Sequence, residues 1–434
     1  MGRVWSVELP NHVGQKVVIA GWLLRLRRLS QVSFVIVRDG RGLVQTVLDD
    51  PALVEQVAAL QAESVLRLEG QVVNTPQAPR GVELRVEKLE VVSEALEAPP
   101  FELHRPEVAA QLPTFLDHAA VGLRHPRQRA LFRLAAASVH GFRKTLAEDH
   151  FVEIFTPKLV ATATEGGANV FAVDYFGRLA YLAQSPQFYK QTMVGVFERV
   201  FEVGPVFRAE PHDTPRHLNQ YASLDVEMGF IEDHTTVMAL LERTIAGMLG
   251  HLQETAQAEL ELLGCQVPTV PEQRMPAIDF VDAQRLIHAA TGEDVLGEPD
   301  LAPSHERWLG AWAVREHGSE FLFVTGYPLA KRPFYTHPDP SRPGQSNSFD
   351  LLFRGLELVT GGQRLHRYAD YLAILAERGQ DHAPFAGYLE AFKHGMPPHG
   401  GFAMGLERWV ARLAGAANVR ETTLFPRDMQ RLTP

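Results

Sequence analysis

The sequence predicts an all-β barrel at its N-terminal end, followed by a larger α+β domain in which strands and helices mix. The first hundred residues contain five short β-rich runs that are separated by turn residues. From about residue 128 to residue 149 apolar side chains recur at helical spacing, and strands and helices mix after that. The 434 residues, of which 45% are hydrophobic, are enough for two or three domains with ample cores.

The predicted barrel has the element order of an OB fold. Strands are predicted in KVVIAGWLLRL, QVSFVIVRD, GLVQTVLDD, SVLRLEGQVV and VELRVEKLEVVS, and PALVEQVAALQAE, between the third and the fourth, is predicted as a helix. This order is typical of an OB barrel, and a generic small barrel or sandwich is the alternative. We assign residues 1–98 to this domain, 99–126 to a proline-bearing hinge and 127–434 to the α+β domain.

The composition excludes several classes of protein. With a net charge of −10, any nucleic-acid contact depends on a local basic patch and not on bulk charge. The one cysteine, Cys265, excludes an intramolecular disulfide and a cysteine-cluster zinc site, and we interpret it as a small core hydrophobe. The sequence has neither a signal-peptide apolar run nor a stretch of roughly 20 apolar residues, so we expect a cytoplasmic protein without a membrane partner.

A local basic patch lies within the predicted barrel. Residues 21–45 carry five arginines against one aspartate, which gives a net charge of +4. Phe34 and Gln45 fall on adjacent predicted strands, where an aromatic ring can stack on a base and an amide can read a base edge. This pattern favours binding of single-stranded nucleic acid. The alternative is that Phe34 belongs to the core and that the arginines form a solvated face.

Charged side chains also mark two neighbouring strands in FRAEPHDTPRHLNQYASLDVEMGF. Arg208 and Glu210 end the first of these strands, and Asp225 and Glu227 point to one face of the second. An unpaired buried charge is costly, so these groups require partners or a ligand. Arg216 in the connecting loop joins Arg208, and two guanidinium forks suit a polyphosphate. The alternative is a mutual salt-bridge ladder or a solvent-facing hairpin.

The segment GGFAMGLERWVARLAG predicts a glycine-rich turn that leads into a helix. Glycines allow close approach of the backbone, and a helix N-terminus favours anions. Arg408 falls near the first turn of this helix, where a cation opposes the helix dipole, which indicates a ligand. Glycines that serve only packing are the alternative.

Two carboxylates, Asp350 and Glu357, lie seven residues apart in FDLLFRGLELVTGGQRLHRY. An unbroken strand would place them on opposite faces, so they converge only if FRG bends the chain or forms a hairpin. In that case they suit Mg²⁺, a hard ion that prefers oxygen ligands. Surface carboxylates on a hairpin are the alternative.

Three shorter features complete the candidate chemistry. In AYLAQSPQFYKQ, Gln187 and Lys190 lie on one side of a predicted helix. In ATATEGGANVF, a glycine-containing loop with Glu165 is similar to a mobile lid, and a plain surface loop is the alternative. We interpret His394 and His399 in KHGMPPHGG as loop residues, and no nucleophile–base pair stands out.

Taken together, these segments resemble the class II aminoacyl-tRNA synthetases, and among them most closely the aspartyl enzymes of archaeal type. FTPKLV resembles motif 1, a dimer-interface element; FRAE with its loop and DVEMGF resembles motif 2; GLERW resembles motif 3. QSPQFYKQ and GGQRLH are typical of the aspartate enzymes. The resemblance covers nearly the whole chain. It implies an active site on a mixed, mostly antiparallel six-stranded sheet flanked by helices.

The same resemblance implies an activity. L-Aspartate would be activated with ATP to aspartyl-adenylate and then transferred to the 3′ end of tRNA(Asp), with tRNA(Asn) as an open second acceptor. The catalytic residues would be Arg208 and Arg408, and Mg²⁺ would be held by Asp350, Glu357 and Thr360. The protein would form a homodimer through motif 1.

The resemblance also implies three ligand sets. ATP would contact residues of motifs 2 and 3 and the strand between them, namely Arg208, Glu210, Arg216, His217, Leu218, Tyr221, Glu357, Gly405, Leu406, Glu407 and Arg408. Aspartate would contact Glu165, Gln187, Lys190, Arg208, Asp225, Thr360 and Arg364. The anticodon would contact Arg27, Phe34, Gln45, Gln77 and Glu83.

Three alternatives remain. An asparaginyl-tRNA synthetase is disfavoured by Lys190, because a cation suits a carboxylate and not an amide. A tRNA-independent asparagine-forming ligase is disfavoured by the N-terminal barrel, and a non-catalytic RNA-binding paralogue by the intact arginines of the motifs. The choice between tRNA(Asp) and tRNA(Asn) stays open, because Gln77 lies in NTPQAPRG where some relatives carry a lysine.

Overall fold

The computed structural model describes residues 2–30, 32–161, 169–211, 214–271 and 274–433. Contacts between Cα atoms divide the chain into two compact units, residues 1–128 and residues 129–434. Each unit has its own hydrophobic core. Among the described residues, no helix is long and apolar enough to pass through a lipid bilayer.

The first unit contains a closed five-stranded barrel with the strand order β1-β2-β3-β5-β4. Its elements are β1 (Lys16–Arg28), β2 (Ser33–Arg38), β3 (Leu43–Leu48), α1 (Pro51–Ala58), β4 (Val65–Asn74) and β5 (Val82–Ser93). Alternate side chains such as Val35 and Val37 point into the barrel and are buried. Asp50 caps α1 by accepting a hydrogen bond from the Ala52 amide. The predicted OB barrel, with its helix between the third and fourth strands, is confirmed.

Two short helices follow the barrel within the same unit, α2 (Leu112–Asp117) and α3 (Ala119–Gly122). A small cluster of buried side chains includes Leu24 from β1 together with Phe101 and Phe115. The two phenyl rings stack with centroids 6.0 Å apart. This packing gives the proline-bearing segment an apolar core of its own.

The second unit alternates strands and helices, and its first helix begins three residues before the boundary between the units. It contains α4 (Pro126–Glu148), β6 (Val152–Glu153), β7 (Leu159–Val160), β8 (Ala172–Tyr175), β9 (Arg178–Leu182), α5 (Gln187–Phe197), β10 (Arg199–Phe207), β11 (Gln220–Gly229), α6 (His234–Thr255), α7 (Gln257–Leu263), β12 (Ala277–Asp279), α8 (Phe280–Thr291), α9 (Pro303–His317), β13 (Phe321–Thr325), β14 (Ser348–Phe353), β15 (Leu356–Arg364), α10 (Tyr368–Glu377), α11 (Ala386–Lys393), β16 (His399–Gly405) and α12 (Leu406–Ala414). The long helix predicted near residues 128–149 corresponds to α4.

The central sheet has eight strands in the order β12-β13-β14-β15-β16-β11-β10-β6. The six inner strands, β13 to β10 in this order, pair antiparallel, whereas β12 and β6 add short parallel strands at the two edges. The expected six-stranded sheet is therefore extended at both edges. A separate three-stranded sheet has the order β7-β9-β8.

The two faces of β11 have different chemistry. Leu224, Val226 and Met228 point into the main core, which also contains apolar side chains of α4 and α6. Because side chains alternate along a strand, Asp225 and Glu227 point to the opposite face. Both carboxylates are nevertheless buried, at 1% and 0% exposure. The fold therefore holds charged groups on a covered sheet face, where they need partners.

Candidate active site

A cavity of about 260 Å³ opens on the charged face of the central sheet. It is lined by residues of the loop after β10, of β11, β15, β16 and α12, and of the segment after α12, namely Arg208, Glu210, Arg216, His217, Leu218, Tyr221, Ser223, Glu357, Leu358, Thr360, Ala403, Met404, Gly405, Glu407, Arg408 and Val419. Ten of the eleven residues that we predicted to contact ATP are in this lining. Leu406 is the exception and lines another cavity, beside Phe132 and Ala135.

Arg208 and Glu210 follow the end of β10 at the cavity wall. The Asn219 side-chain amide donates to the backbone carbonyls of Arg208 at 2.7 Å and of Glu210 at 3.3 Å, which fixes the start of the loop. The Arg208 guanidinium lies 5.8 Å from the Tyr221 ring centroid and 3.8 Å from the Glu210 carboxylate. Its side chain remains 41% exposed, so it is accessible to an anionic ligand.

Arg216 is held by a carboxylate that the sequence analysis missed. Glu306 on α9 accepts from Arg216 at 3.0 and 3.4 Å and also accepts from the Glu357 amide at 2.9 Å. Burial raises the pKa of Glu306, although the Glu357 amide and the Arg216 charge act in the opposite direction. A signal was present in the sequence, because Glu306 shares the buried face of α9 with Leu309 and Ala313 at helical spacing.

Arg408 lies in the first turn of α12, as predicted. Its guanidinium donates to the backbone carbonyls of Glu357 at 3.0 Å and Arg216 at 3.4 Å, and lies 3.8 Å from the Glu357 carboxylate. These acceptors offset the unfavourable position of a cation at a helix N-terminus. The adjacent Glu407 accepts from the Ala222 amide at 3.0 and 3.1 Å, and burial raises the pKa of Glu407 to about 7.

Asp350 and Glu357 converge because β14 and β15 form a hairpin. Arg354 and Gly355 form the turn between the two strands, with φ values of 48° and 70°. Tight two-residue hairpin turns require positive φ at these positions. Asp350 lies directly opposite Thr360, whose hydroxyl donates to Glu357 at 3.3 Å. The chain therefore forms the hairpin that the sequence analysis required for Asp350 and Glu357 to converge.

Asp350 has one oxygen engaged and one available. Arg332 donates to its Oδ2 at 3.0 Å, while the buried Oδ1 has no hydrogen-bond partner among the described residues. Burial raises the pKa of Asp350 to about 6, with the Arg332 charge opposing and the Glu357 charge reinforcing the shift. An unpartnered carboxylate oxygen beside a second carboxylate and a hydroxyl fits a hard divalent cation.

Four buried charges form a second cluster next to this cavity. Lys190 Nζ lies 3.0 Å from Asp225 and 3.4 Å from Glu227, and Arg364 Nε lies 3.0 Å from Glu227. The Gln187 amide approaches Glu227 at 3.5 Å. Two cations therefore balance two carboxylates. Gln187, Lys190, Asp225 and Arg364 are among the predicted aspartate ligands, whereas Glu227, for which the resemblance implies no ligand contact, pairs with both cations. Glu165 lies outside the described residues.

His399 is not a loop residue, so that interpretation was wrong. It begins β16 and is fully buried, because its strand register places it opposite Gly229 and Arg364 in the sheet interior. Its Nδ1 lies 2.9 Å from the Pro397 carbonyl and its Nε2 lies 2.9 Å from the Gln191 amide nitrogen. Burial lowers the pKa of His399 to about 4. His394, in contrast, is exposed and lies beside Glu390.

The barrel presents its predicted nucleic-acid residues on one outer face. Phe34 is half-buried and lies directly opposite the exposed Arg27, while its neighbour Val35 points into the core. The Gln45 amide donates to Glu83 at 3.2 Å. Gln77 is exposed in the loop before β5. Phe34 is thus not a core residue of the barrel.

Not every arginine of the basic segment belongs to that face. Arg38 is only 4% exposed and pairs with Glu63 at 2.7 Å, with its guanidinium stacked over the Trp22 ring. Arg41 pairs with Glu8 at 3.2 Å. The expectation of a patch built from all five arginines was therefore wrong for Arg38, because the fold uses this residue as an internal ion pair.

Two protein-family models match this chain. The model for "tRNA synthetases class II (D, K and N)" matches residues 112–429. The chain belongs to the class II tRNA synthetases (D, K and N). The model for "OB-fold nucleic acid binding domain" matches residues 17–92, in agreement with the closed barrel. The cavity and the charged sheet face thus occupy the synthetase part of the chain.

Among similar proteins, the "Aspartate--tRNA(Asp/Asn) ligase" of Thermus thermophilus is 48% identical over the full length of both chains. The protein of the same name from Deinococcus radiodurans is 47% identical, with 100% of this chain and 99% of the relative covered. The "Aspartate--tRNA(Asp) ligase" of Pyrococcus abyssi is 38% identical, with 99% of each chain covered. These relatives differ in the tRNAs that their names specify.

Solved structures of both asparaginyl-tRNA and aspartyl-tRNA synthetases share the fold of this chain. The asparaginyl-tRNA synthetase of Pyrococcus horikoshii, complexed with asparaginyl-adenylate, superposes with a TM-score of 0.93 at 32% identity and covers both chains fully. A putative aspartyl-tRNA synthetase of Leishmania major gives a TM-score of 0.85 at 30% identity, covering 100% of this chain and 95% of that chain. The fold alone therefore does not choose between aspartate and asparagine.

Proposed function

We propose that this chain is an aspartate–tRNA ligase, which activates L-aspartate with ATP and transfers the aspartyl group to the 3′ end of tRNA(Asp). The observation that carries the choice of amino acid is the buried Lys190, which lies 3.0 Å from Asp225 and 3.4 Å from Glu227. An ammonium group at this depth is suited to a substrate carboxylate. An amide side chain would offer Lys190 no new negative charge when the substrate ammonium group takes over Asp225.

Aspartate would enter this cluster by exchanging ion-pair partners. The substrate ammonium group pairs with Asp225, and Lys190 then turns to the substrate side-chain carboxylate, with Arg364 on its other side. One internal ion pair is replaced by two pairs with the substrate, so no charge is left uncompensated during binding. Gln187, Thr360 and Glu165 complete the proposed contacts, and Arg208 approaches the α-carboxylate.

The proposed first reaction needs no protein base, because the α-carboxylate is already ionised. A carboxylate oxygen bonds to the α-phosphorus of ATP, and the bond from that phosphorus to the bridging oxygen breaks. This oxygen takes the electron pair and leaves with pyrophosphate. Arg208 holds the α-phosphate and Arg216 and His217 hold the distal phosphates, so that catalysis consists of positioning and charge stabilisation.

The adenine ring would lie between Tyr221 and Arg408. Tyr221 lines the cavity together with Arg408, and a flat base fits between an aromatic ring and a guanidinium plane. Glu210 would accept from the adenine amino group. In the second reaction the terminal ribose hydroxyl of tRNA attacks the aspartyl carbonyl carbon, AMP leaves with the electron pair, and the hydroxyl proton is released.

Asp350, Glu357 and Thr360 would hold Mg²⁺. The unpartnered Oδ1 of Asp350 beside the Glu357 carboxylate supports this assignment. When bound, the ion neutralises phosphate charge. Arg332 keeps the Asp350 carboxylate in place by occupying its other oxygen at 3.0 Å.

For the RNA partner, we propose that the face of Arg27, Phe34, Gln45 and Glu83 binds the anticodon, with Gln77 beside it. Phe34 supplies a ring for base stacking, and the Gln45–Glu83 pair supplies a donor and an acceptor for base edges. The names of the relatives from Thermus thermophilus and Deinococcus radiodurans support tRNA(Asn) as a second acceptor. Cytoplasmic protein synthesis is the proposed setting.

We further propose that a second copy of the chain packs against motif 1, as the resemblance implies. Phe155 is 81% exposed, and Phe176 and Leu179 of the β8–β9 hairpin are 88% and 64% exposed, so these apolar side chains are available to a partner. Phe155 lies within the motif 1 segment itself. Light scattering after gel filtration should give a dimer mass, and a monomer at micromolar concentration would contradict this assembly.

The decisive experiment compares aspartate with asparagine. Aspartate should promote ATP–pyrophosphate exchange, and asparagine should not. Transcripts of tRNA(Asp) and tRNA(Asn) should then be charged with aspartate, the first in any case and the second if the enzyme is non-discriminating. Exchange that depends on asparagine alone would establish the asparaginyl alternative. Asparagine release from aspartate and ammonia without tRNA would establish the free-standing ligase.

A further inference from the structure

A second cavity of about 410 Å³ adjoins the candidate ATP site. It lies between the N-terminal end of α9, the C-terminal end of α12, the turn of the β14–β15 hairpin and the loop after β10. Arg216, His217, Arg408 and Val419 line both cavities and thus form a common wall. The second cavity extends from this wall away from Arg208 and Tyr221, which line only the first.

Four arginines line this second cavity, Arg216, Arg307, Arg408 and Arg412. Arg216 pairs with Glu306 at 3.0 Å, and Arg408 lies 3.8 Å from Glu357. In the described part of the chain, Arg307 and Arg412 have no carboxylate within ion-pair distance. The cavity therefore carries an excess of positive charge, although the whole protein has a net charge of −10.

The cation cluster is unfavourable without a ligand. Burial lowers the pKa of Arg412, and the charges of Arg216, Arg307 and Arg354 lower it further, against the opposing effect of Glu306. Arg408 and Arg412 are four residues apart on α12, so they point to the same side of the helix. Like charges at this spacing repel each other, and a bound polyanion removes that cost.

We propose that this second cavity binds inorganic pyrophosphate as it leaves the active site. The inference rests on the proposed function, since adenylate formation releases pyrophosphate at the wall that the two cavities share. Arg216 and Arg408 hold the anion on the ATP side, and Arg307 and Arg412 receive it on the far side. Guanidinium forks are suited to the oxygens of a diphosphate.

The test measures the reverse reaction, in which a pyrophosphate oxygen bonds to the α-phosphorus of enzyme-bound aspartyl-adenylate, ATP is formed and aspartate leaves with its carboxylate oxygen. Purified full-length enzyme carrying aspartyl-adenylate is mixed with increasing concentrations of inorganic pyrophosphate. Arg307→Gln and Arg412→Gln should each raise the half-saturating pyrophosphate concentration about tenfold. The KM for ATP in the forward reaction should change less than about twofold, because neither side chain lines the ATP cavity.

Two further variants serve as controls. Arg412→Lys retains the charge but not the fork, so its pyrophosphate response should fall between wild type and Arg412→Gln. Arg315→Gln removes an arginine of the same helix, α9, whose side chain is 62% exposed and pairs with Glu316 outside the cavity. This variant should behave as wild type. If Arg412→Gln does not fold, calorimetric titration of pyrophosphate into wild type and Arg307→Gln provides the same comparison.

Three results would overturn the assignment. One is a pyrophosphate response of Arg307→Gln and Arg412→Gln equal to that of Arg315→Gln. Another is a KM for ATP that rises in proportion, which would place both arginines in the ATP site. The third is a raised KM for tRNA with unchanged pyrophosphate binding, which would assign the cations to RNA phosphates. A wild-type enzyme that forms no aspartyl-adenylate would instead refute the proposed function.

Discussion

Lys190 shows how one buried cation links stability and specificity. Its side chain is 1% exposed and lies within 3.4 Å of two carboxylates, Asp225 and Glu227. Such a residue compensates charges that would otherwise be buried without partners. The family resemblance implies a role for Lys190 toward a substrate, and the structure adds its ion pairs within the protein itself.

We expect Lys190→Leu to abolish aspartate-dependent ATP–pyrophosphate exchange while ATP binding, measured by calorimetry, remains detectable. The variant should also lose about 3–5 kcal/mol of stability, because two buried carboxylates lose a partner. Lys393→Leu is a control, since Lys393 is 43% exposed on its side chain and contacts Glu390 within α11 and the Tyr368 ring, not the carboxylates of the cluster. Unchanged aspartate kinetics in Lys190→Leu would refute the proposed amino-acid site.

The buried His399 predicts a specific pH dependence. The pKa of the His399 imidazole falls from about 6.5 to about 4 on folding. Between these pH values the imidazole is therefore neutral in the folded protein, whereas it takes up a proton in the unfolded chain. The associated stability is present above pH 6.5 and is lost as the pH falls toward 4, by roughly 3 kcal/mol in all. Glu407 acts in the opposite direction, because its pKa is raised to about 7.

Comparison of wild type with His399→Gln isolates this effect, because the contribution of Glu407 is common to both proteins. Urea unfolding followed by tryptophan fluorescence at pH 7.5 and pH 5 should show the larger loss of stability in wild type. The difference should be about 2 kcal/mol. Equal losses in the two proteins would mean that His399 is protonated in the folded state.

At the scale of elements, α9 is positioned by a close contact with the β14–β15 hairpin. A Cβ atom on Gly310 of α9 would lie 2.5 Å from the Gly355 Cα in the hairpin turn. The same helix carries Glu306, which holds Arg216, and the same hairpin carries Glu357. Two glycines therefore set the distance between the elements that carry Glu306 and Glu357.

We expect Gly310→Ala to destabilise the protein and to raise the KM for ATP about threefold or more, since α9 must move away from the hairpin and carry Glu306 with it. Helix propensity alone would predict stabilisation. Gly250→Ala is the matched control within α6, where a Cβ meets no atom within 4 Å. That variant should gain up to about 1 kcal/mol, and thermal unfolding with ATP kinetics measures both. A Gly310→Ala protein as stable and active as wild type would exclude this role for the contact.

At the scale of the whole molecule, the two units carry separate parts of the proposed reaction. The proposed ATP cavity and the charged cluster lie in residues 129–434, and the outer face of Phe34 lies in residues 1–128. In the proposed reaction, amino-acid activation uses only the cavity and the charged cluster. Charging of tRNA also uses the face of Phe34.

Phe34→Ala should therefore leave ATP–pyrophosphate exchange unchanged and raise the KM for tRNA in aminoacylation about tenfold, through the loss of one base-stacking contact. Leu96→Ala provides a control in the same unit, because Leu96 is 95% exposed and lies outside the proposed anticodon face. An equal loss of exchange and charging in Phe34→Ala would contradict the division of labour between the units.

The sequence by itself determined the features that depend on local periodicity. Alternating side chains specified the barrel strands and placed Asp225 and Glu227 on one face, and apolar residues at helical spacing specified α4. These patterns are legible because side-chain direction repeats every two residues in a strand and every 3.6 in a helix. Ten of the residues that the short motifs predicted as ATP contacts line one cavity on the charged sheet face.

Tertiary structure alone decided which of these groups meet. The hairpin turn at Gly355 brings Asp350 and Glu357 together, strand pairing buries His399 beside Gln191, and helix packing places Glu306 against Arg216. Each contact joins residues far apart in sequence or depends on a register that no local period encodes. Arg38 likewise does not belong to the basic patch, because folding places it against Glu63. The sequence thus specifies which charged residues the site contains, and the fold determines which of them pair.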